Sequence, residues 1–328
     1  MPMKEVGQFA DPKAITPAAT ADATGSTSND RIYAEAVFAS MPTLLPYEQW
    51  FQVQDLPDGI ENAFFSYVKN FDLTWTSVTG TGSDTGSSIS STAGPGLNWK
   101  EVRPELQVAE LPVTYKVDIE NQIANFDFYA KLGGQSVRKY LVQTALDVLD
   151  TAGSGTTDGT VGSVVRAAGG FATTGSINSG STLTPSDLDD MKALLSTGSD
   201  IYVPDIVVMH TFQYNQLVKH QDFSLNSNSS AAMRATWDKG NLVAYNGMEI
   251  YHSELVNGYA AGNFYTVAGH PVFVFKKKVS ACQALKSSQF QIKTIDMPRN
   301  FMKIKQFMIY ESSAVLIPAS IGLLRASD

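Results

Sequence analysis

Five residues, Asp84-Thr85-Gly86-Ser87-Ser88, spell the surroundings of an aspartic-protease carboxylate. That chemistry needs two carboxylates sharing one proton, each on a turn held by packed apolar strands. Here the motif lies inside a tract of Gly, Ser and Thr from Thr79 to Gly96, and no second Asp-Thr-Gly or Asp-Ser-Gly exists in the chain. It reads as a coincidence of low-complexity sequence. The four histidines, His210, His220, His252 and His270, have no i, i+4 pairing and no metal-type carboxylate pattern beside them, so structural or surface roles are expected. Cys282 is the only cysteine, which excludes an intrachain disulfide and a cysteine-based zinc site. With no base nearby it reads as a small buried hydrophobe.

Lys276, Lys277 and Lys278 form the only basic run. It follows the apolar run PVFVF and reads as a solvated edge, not a nucleic-acid contact, because no aromatic is interleaved with it. There is no Walker loop, no G-x-G-x-x-G after a strand and no G-x-S-x-G elbow. Gly153-Ser154-Gly155 lacks the third glycine and ends a helix instead of opening one. No catalytic, cofactor-binding or metal-ligating residue is therefore assigned, no cofactor is expected, and the chain is read as a non-enzyme.

The elements that would carry any site centre on Val113 to Ala152. Val113, Tyr115, Val117 and Ile119 alternate with polar residues, the period of a strand with one buried face. From Asn125 the apolar positions Phe126, Tyr129, Leu132, Val137, Tyr140, Leu141, Ala145, Val148 and Leu149 recur every three or four residues, and Lys131, Gln135, Arg138, Lys139, Gln143 and Asp147 take the other face. This predicts a long amphipathic helix over Asn125 to Asp150, closed by Gly153 and Gly155. Gly133 and Gly134 sit inside it, where each costs about 1 kcal/mol relative to alanine. The pair fits either a close approach of a neighbouring element or a bend.

With 328 residues, 43% of them hydrophobic, the chain can bury a large core. Charged residues make up only 17%, consistent with a surface meant to meet protein, and the net charge of -8 opposes phosphate binding as the main task. The N-terminus lacks an apolar signal region and no stretch approaches a membrane span, so neither secretion by that route nor membrane insertion is expected.

Met1 to Asn29 is poor in large apolar groups and reads as an arm. From Arg31 to Ile60 apolar residues return, but Pro42, Pro46 and Pro57 limit them to extended or short helical pieces lying along another surface. Strand-like AFFSYVKNFDLTWTSV and the runs through Leu97, Trp99, Leu106 and Leu111 flank the polar tract, predicting an extended hairpin with a long tip. After the helix, Thr184-Pro185-Ser186-Asp187 opens a second helix, with Leu188, Met191, Leu194 and Leu195 inward. PDIVVM reads as a strand buried on both faces, followed by a helix over Thr211 to Lys219 with Phe212, Leu217 and Val218 inward. Leu225 to Ser230 is a loop, Asn246-Gly247 a turn, and the last third mainly strands, which makes an α+β chain.

In this order the elements resemble the major capsid proteins of tailed bacteriophages and related archaeal viruses, the Hong Kong 97-like fold. The resemblance rests on the polar arm, the hairpin at about Ala63 to Leu111, the strand into the helix at Asn125 to Asp150, its LDTAGSGTT stop, and then TPSDLDDMKALL, PDIVVMHTFQYNQLVK, LVAYNGMEIYHSEL and FYTVAGHPVFVFKKK. It implies an N-terminal arm at 1–62, an E-loop hairpin at 63–112, a P-domain with spine helix at 113–165, an A-domain at 166–255 and P-domain return strands at 256–328. It further implies a subunit that self-assembles into hexamers and pentamers of an icosahedral virion shell around double-stranded DNA, without sequence-specific binding and without a membrane. Separate scaffolding, portal and minor capsid proteins would be its partners, with assembly in the host cytoplasm. In that family the spine helix can bend before maturation, which the Gly133-Gly134 pair would suit. The E-loop tip holds no lysine, Lys69 and Lys100 only flanking it, so lysine-asparagine crosslinking is not expected. The alternative on the same fold is an encapsulin nanocompartment shell holding enzyme cargo. A hydrolase built on Asp84 or the histidines, and a tail-tube or adhesin subunit, fit the chain less well.

Overall fold

A computed structural model describes residues 45–68, 97–114, 126–153, 164–172, 177–197, 202–223, 230–259, 267–300 and 302–328. In chain order these form α1 (Tyr47–Trp50), β1 (Gln52–Asp55), β2 (Ala63–Val68), β3 (Leu97–Val102), β4 (Glu105–Thr114), α2 (Phe126–Gly153) and β5 (Val164–Ala167). There follow α3 (Pro185–Thr197), β6 (Ile206–Met209), α4 (Thr211–Lys219), α5 (Ser230–Arg234), β7 (Ala235–Asp238), β8 (Asn241–Tyr245) and β9 (Met248–His252). The chain finishes with β10 (Gly269–Phe275), β11 (Ala281–Met297), β12 (Met302–Val315) and β13 (Ile321–Ser327).

The strands sort into a four-stranded sheet, β1-β11-β12-β4, a seven-stranded sheet, β5-β13-β10-β6-β9-β8-β7, and the two-stranded ribbon β2-β3. In the smaller sheet β11 and β12 form a long antiparallel pair with one register shift between Lys286 and Gln291, and β4 runs antiparallel beside β12. The α2 helix covers this sheet and reaches the larger one. Val137, Leu141, Ala145 and Leu149 share one core with Ile292, Phe307 and Ile309 of the small sheet and with Ile206, Phe273, Phe275 and Ile321 of the large one. On the opposite face of the large sheet, Leu188, Met191 and Leu195 of α3 and Leu217 of α4 pack on Val207, Met209, Val272, Val274 and Leu324. Strand alternation thus sends Ile206 and Val208 into one core and Val207 and Met209 into the other, so the continuous apolar run PDIVVM is a central strand.

Local signals account for several boundaries. Thr184 and Asp187 cap α3 reciprocally: Asp187 N donates to Thr184 Oγ1 at 3.4 Å, and Thr184 N donates to Asp187 Oδ2 at 2.9 Å. Asp187 is buried and also accepts from Gly169 N and Gly170 N, which ties the turn after β5 to the start of α3. Asn246 and Gly247 have φ of 49° and 77°, the left-handed pair that a tight β8-β9 hairpin requires. The α2 helix runs from Phe126 to Gly153 and passes unbroken through Gly133 and Gly134, both buried.

The buried face of α2 includes Val137, Leu141, Ala145 and Leu149, as the periodicity predicts, but departs from it at its edges. Leu132 and Tyr140 are exposed, whereas Arg138, assigned to the polar face, is 5% exposed. Val142 and Leu146 are buried instead. Phe212 of α4 is likewise 55% exposed, with Gln213 and Tyr214 turned inward. The segment from Leu45 is a short helix and a short extended piece, as expected, and it is part of the core: Tyr47, Trp50 and Phe51 are each 1% exposed, and β1 pairs in parallel with Gln283 and its neighbours in β11. The expected strand over Val113 to Ile119 is described only through Thr114; the rest of it, the hairpin tip, the loop Leu225 to Ser229, the first half of FYTVAG and the arm before Leu45 lie outside the described residues.

Candidate assembly interface

Asp84 and its neighbours lie outside the described residues, as do Lys69, Ser154 and Gly155. The histidines do not converge on a metal-type cluster; among the described residues no group of three or more His, Cys, Asp or Glu side chains could hold a metal ion. Two of them nevertheless meet. The rings of His210 and His270 stack at 3.9 Å, His270 Nδ1 contacts Asp328 Oδ1, and His210 Nδ1 accepts from Phe212 N to cap α4. Burial, followed by the neighbouring His270, holds the His210 pKa below its ordinary value. Sixty residues separate the two rings, so no local spacing could have signalled the pair. His252 stacks on Tyr214, and His220 lies 3.4 Å from Asp222.

Cys282 is buried, with its thiol pushed up to about 12 chiefly by burial. The lysine run is more than a solvated edge. Lys276 Nζ pairs with Asp205 at 2.9 Å, while Lys278, at φ 60°, donates its backbone N–H to Trp50 O and its ammonium to Glu48 O at 2.6 Å and to Phe51 O. The turn between β10 and β11 therefore fastens the segment that holds α1. Burial, then the adjacent Lys277, lowers the Lys278 pKa.

Large apolar groups on the outside are the features that chemistry alone does not explain. In the β2-β3 ribbon Phe64 stands opposite Glu101 and Ser66 opposite Trp99, so Phe64 and Trp99 share one face. The other face, with Ala63, Phe65 and Val102, is buried against Cys282, Ala284, Leu316 and Ile317. Phe64 and Trp99 are 55% and 60% exposed, and Lys100, next to Trp99 in sequence, is also exposed. At the β7 edge of the large sheet Met233, Trp237 and Val243 are exposed. Such aromatic exposure marks surfaces that meet protein. Between α2 and the β4 edge an open cleft of about 190 Å³ has a floor of Val137, Phe290, Phe307 and Ile309 and a rim that includes Gln107, Ala109, Ser136 and Tyr140.

The sequence model of the phage capsid protein family matches residues 109–304. The chain belongs to that family. Its fold is the Hong Kong 97-like α+β fold of phage major capsid proteins. The capsid of Ralstonia phage GP4 is similar with a TM-score of 0.58 at 10% identity, over 88% of this chain and 93% of that one. The capsid of the native GTA particle is similar with a TM-score of 0.54 at 15% identity, over 88% and 93%. The holo-SrpI encapsulin complex from Synechococcus elongatus PCC 7942 is similar with a TM-score of 0.53 at 11% identity, over 87% and 89%. No curated protein matches the chain. In a capsid protein the functional surfaces are those that join copies, and the apolar faces of the ribbon and of the β7 edge are the candidates.

Proposed function

We propose that this chain is the major capsid protein of a tailed virus, a structural subunit of an icosahedral shell built from hexamers and pentamers around double-stranded DNA. The observation that carries the reading is the family match across residues 109–304, from β4 through α2 into β12. In this reading residues 1–62 supply the N-terminal arm, 63–112 the E-loop hairpin, 113–165 the P-domain with α2 as spine, 166–255 the A-domain and 256–328 the return strands. The exposed pair Phe64 and Trp99 then meets a neighbouring subunit. The net charge of -8 suits a wall that encloses DNA without gripping it or reading its sequence. Separate scaffolding, portal and minor capsid proteins complete the particle, which forms in the host cytoplasm and matures as a virion. The subunit's task is structural and involves no catalysis.

A second reading, an encapsulin shell around enzyme cargo, is supported by the likeness to the SrpI encapsulin. Cryo-electron microscopy of particles from the native source, with extraction of nuclease-protected nucleic acid, separates the two. Closed icosahedral particles holding double-stranded DNA are expected. Small shells that are empty or filled with protein would replace the viral reading with the encapsulin one, and a monomer under every assembly condition would overturn both.

A further inference from the structure

The cleft between α2 and β4 is lined on the β4 side by the small Ala109 and by Gln107. Ala109 stands opposite Phe307 and Gln107 opposite Ile309, so these pairs share the helix-facing side of the sheet. Phe290, Phe307, Ile309 and Val137 are buried at the floor, while Ala109 and Ser136 are exposed on opposite rims. The β4 strand is also the last of its sheet, pairing only with β12 among the described residues, so its outer edge presents backbone donors and acceptors beside the apolar floor.

The first described residue is anchored to the same helical turn. Leu45 is buried and its carbonyl accepts from Arg138 Nη2 at 2.8 Å, and Arg138 sits between the cleft-lining Val137 and Tyr140. The chain upstream of Leu45 therefore starts one arginine side chain away from the helical turn that lines the cleft. That upstream stretch is strongly apolar: Ile32, Tyr33, Val37, Phe38, Met41 and Leu44 accompany a single charge, Glu35. Phe38 precedes Leu45 by seven residues, a reach of up to about 25 Å when extended. A short tether also gives such a segment an effective concentration in the millimolar range, ahead of the same segment from another copy.

We infer that the α2-β4 cleft is the seat of this chain's own segment 32–44, which places an aromatic or methionine side chain on the floor of Phe290, Phe307 and Ile309. The occupant is the same chain, whatever the shell contains, so the inference stands apart from the viral reading.

Because Cys282 is the only native cysteine and is buried, engineered disulfides give a clean test. Full-length protein carrying Ala109→Cys with Tyr33→Cys, Phe38→Cys or Met41→Cys is oxidised and run on a non-reducing gel. An intrachain disulfide, seen as a faster-migrating monomer, is expected for at least one pair at several-fold the yield of a Val203→Cys control, a position exposed elsewhere. Ser136→Cys repeats the measurement from the opposite rim should the Ala109 variant fail to accumulate. Disulfide-linked dimers alone would assign the cleft to a neighbouring copy and overturn the inference, as would yields no higher than the control from both rims.

Discussion

Arg138 and Glu48 grip each other across the seam between α2 and the segment that begins at Leu45. Both terminal guanidinium nitrogens donate to the carboxylate, Nη2 to Oε2 at 3.0 Å, and the cation also lies 4.9 Å from the centre of the Tyr47 ring. The side chains are 6% and 17% exposed, so Arg138 is cut off from water and Glu48 reaches it only in part. Removing one partner strands the other. Arg138→Ala or Glu48→Ala is expected to lower unfolding free energy by about 3–5 kcal/mol, measured by chemical denaturation. The Arg103–Glu61 pair, with side chains 71% and 70% exposed, is the control, and Glu61→Ala there is expected to cost no more than about 1 kcal/mol.

Glu311 is 2% exposed, with Gln283, Tyr140 and Ser313 as hydrogen-bonding partners. Burial raises its pKa above the ordinary carboxylate value, and the hydrogen bonds only partly oppose that. A raised folded pKa means the folded state holds the proton more tightly, so this group's stabilising contribution is full below the unfolded pKa, near 4.3, and is lost as pH rises through the folded value. Every tenfold tightening of proton binding on folding corresponds to about 1.4 kcal/mol. Glu311→Gln is therefore expected to melt higher than the parent at pH 7–8 and to converge with it near pH 4. A parent that gains relative stability toward alkaline pH would contradict this.

His210 acts in the opposite sense. Its neutral Nδ1 caps α4, and its folded pKa is lowered by burial and by His270, with Asp328 and Glu254 pulling the other way. The stability it contributes is present above the unfolded pKa of about 6.5 and is lost as pH falls through the folded value. His210→Ala should cost about 0.5–2 kcal/mol at pH 8, the usual range for a lost cap, whereas His210→Asn should keep the cap and flatten the acid side of the melting profile.

Cys282 should resist thiol reagents in the native protein, since it is buried and its thiol titrates only near pH 12. One labelled thiol per chain is expected after unfolding in guanidinium and essentially none before it.

Phe64→Asp and Trp99→Asp place a charge on the exposed face of the ribbon, away from the side that packs on Cys282 and Ile317. Both variants are expected to keep the parent melting temperature and to lose most of their particle yield by electron microscopy. Full assembly would remove the ribbon from the proposed interface.

Much of this architecture is legible in the sequence because the signal is local. Thr184 and Asp187 mark the start of α3, IVVM marks the doubly buried strand, and Asn246-Gly247 marks the hairpin. The buried face of α2 is only partly legible: Val137, Leu141, Ala145 and Leu149 follow the polarity pattern, but that pattern cannot know that Glu48, ninety residues upstream, pairs with Arg138 and makes it a core residue. The parallel pairing of β1 with β11 and the stack of His210 on His270 likewise join distant stretches, and neither stretch announces its partner. Sequence shows the ribbon's aromatic residues but not which of them are exposed, because Phe65 beside Phe64 goes inward.

The depth at which Tyr47, Trp50 and Phe51 are embedded sets a boundary for any protease that trims this subunit. Cleavage upstream of Leu45 leaves every described strand of both sheets in place. A cut a few residues later takes away three fully enclosed aromatic rings and bares the β11 edge that β1 covers. Processing of the shell, in whatever particle it occurs, must therefore stop short of Leu45 or destroy the brick it is meant to finish.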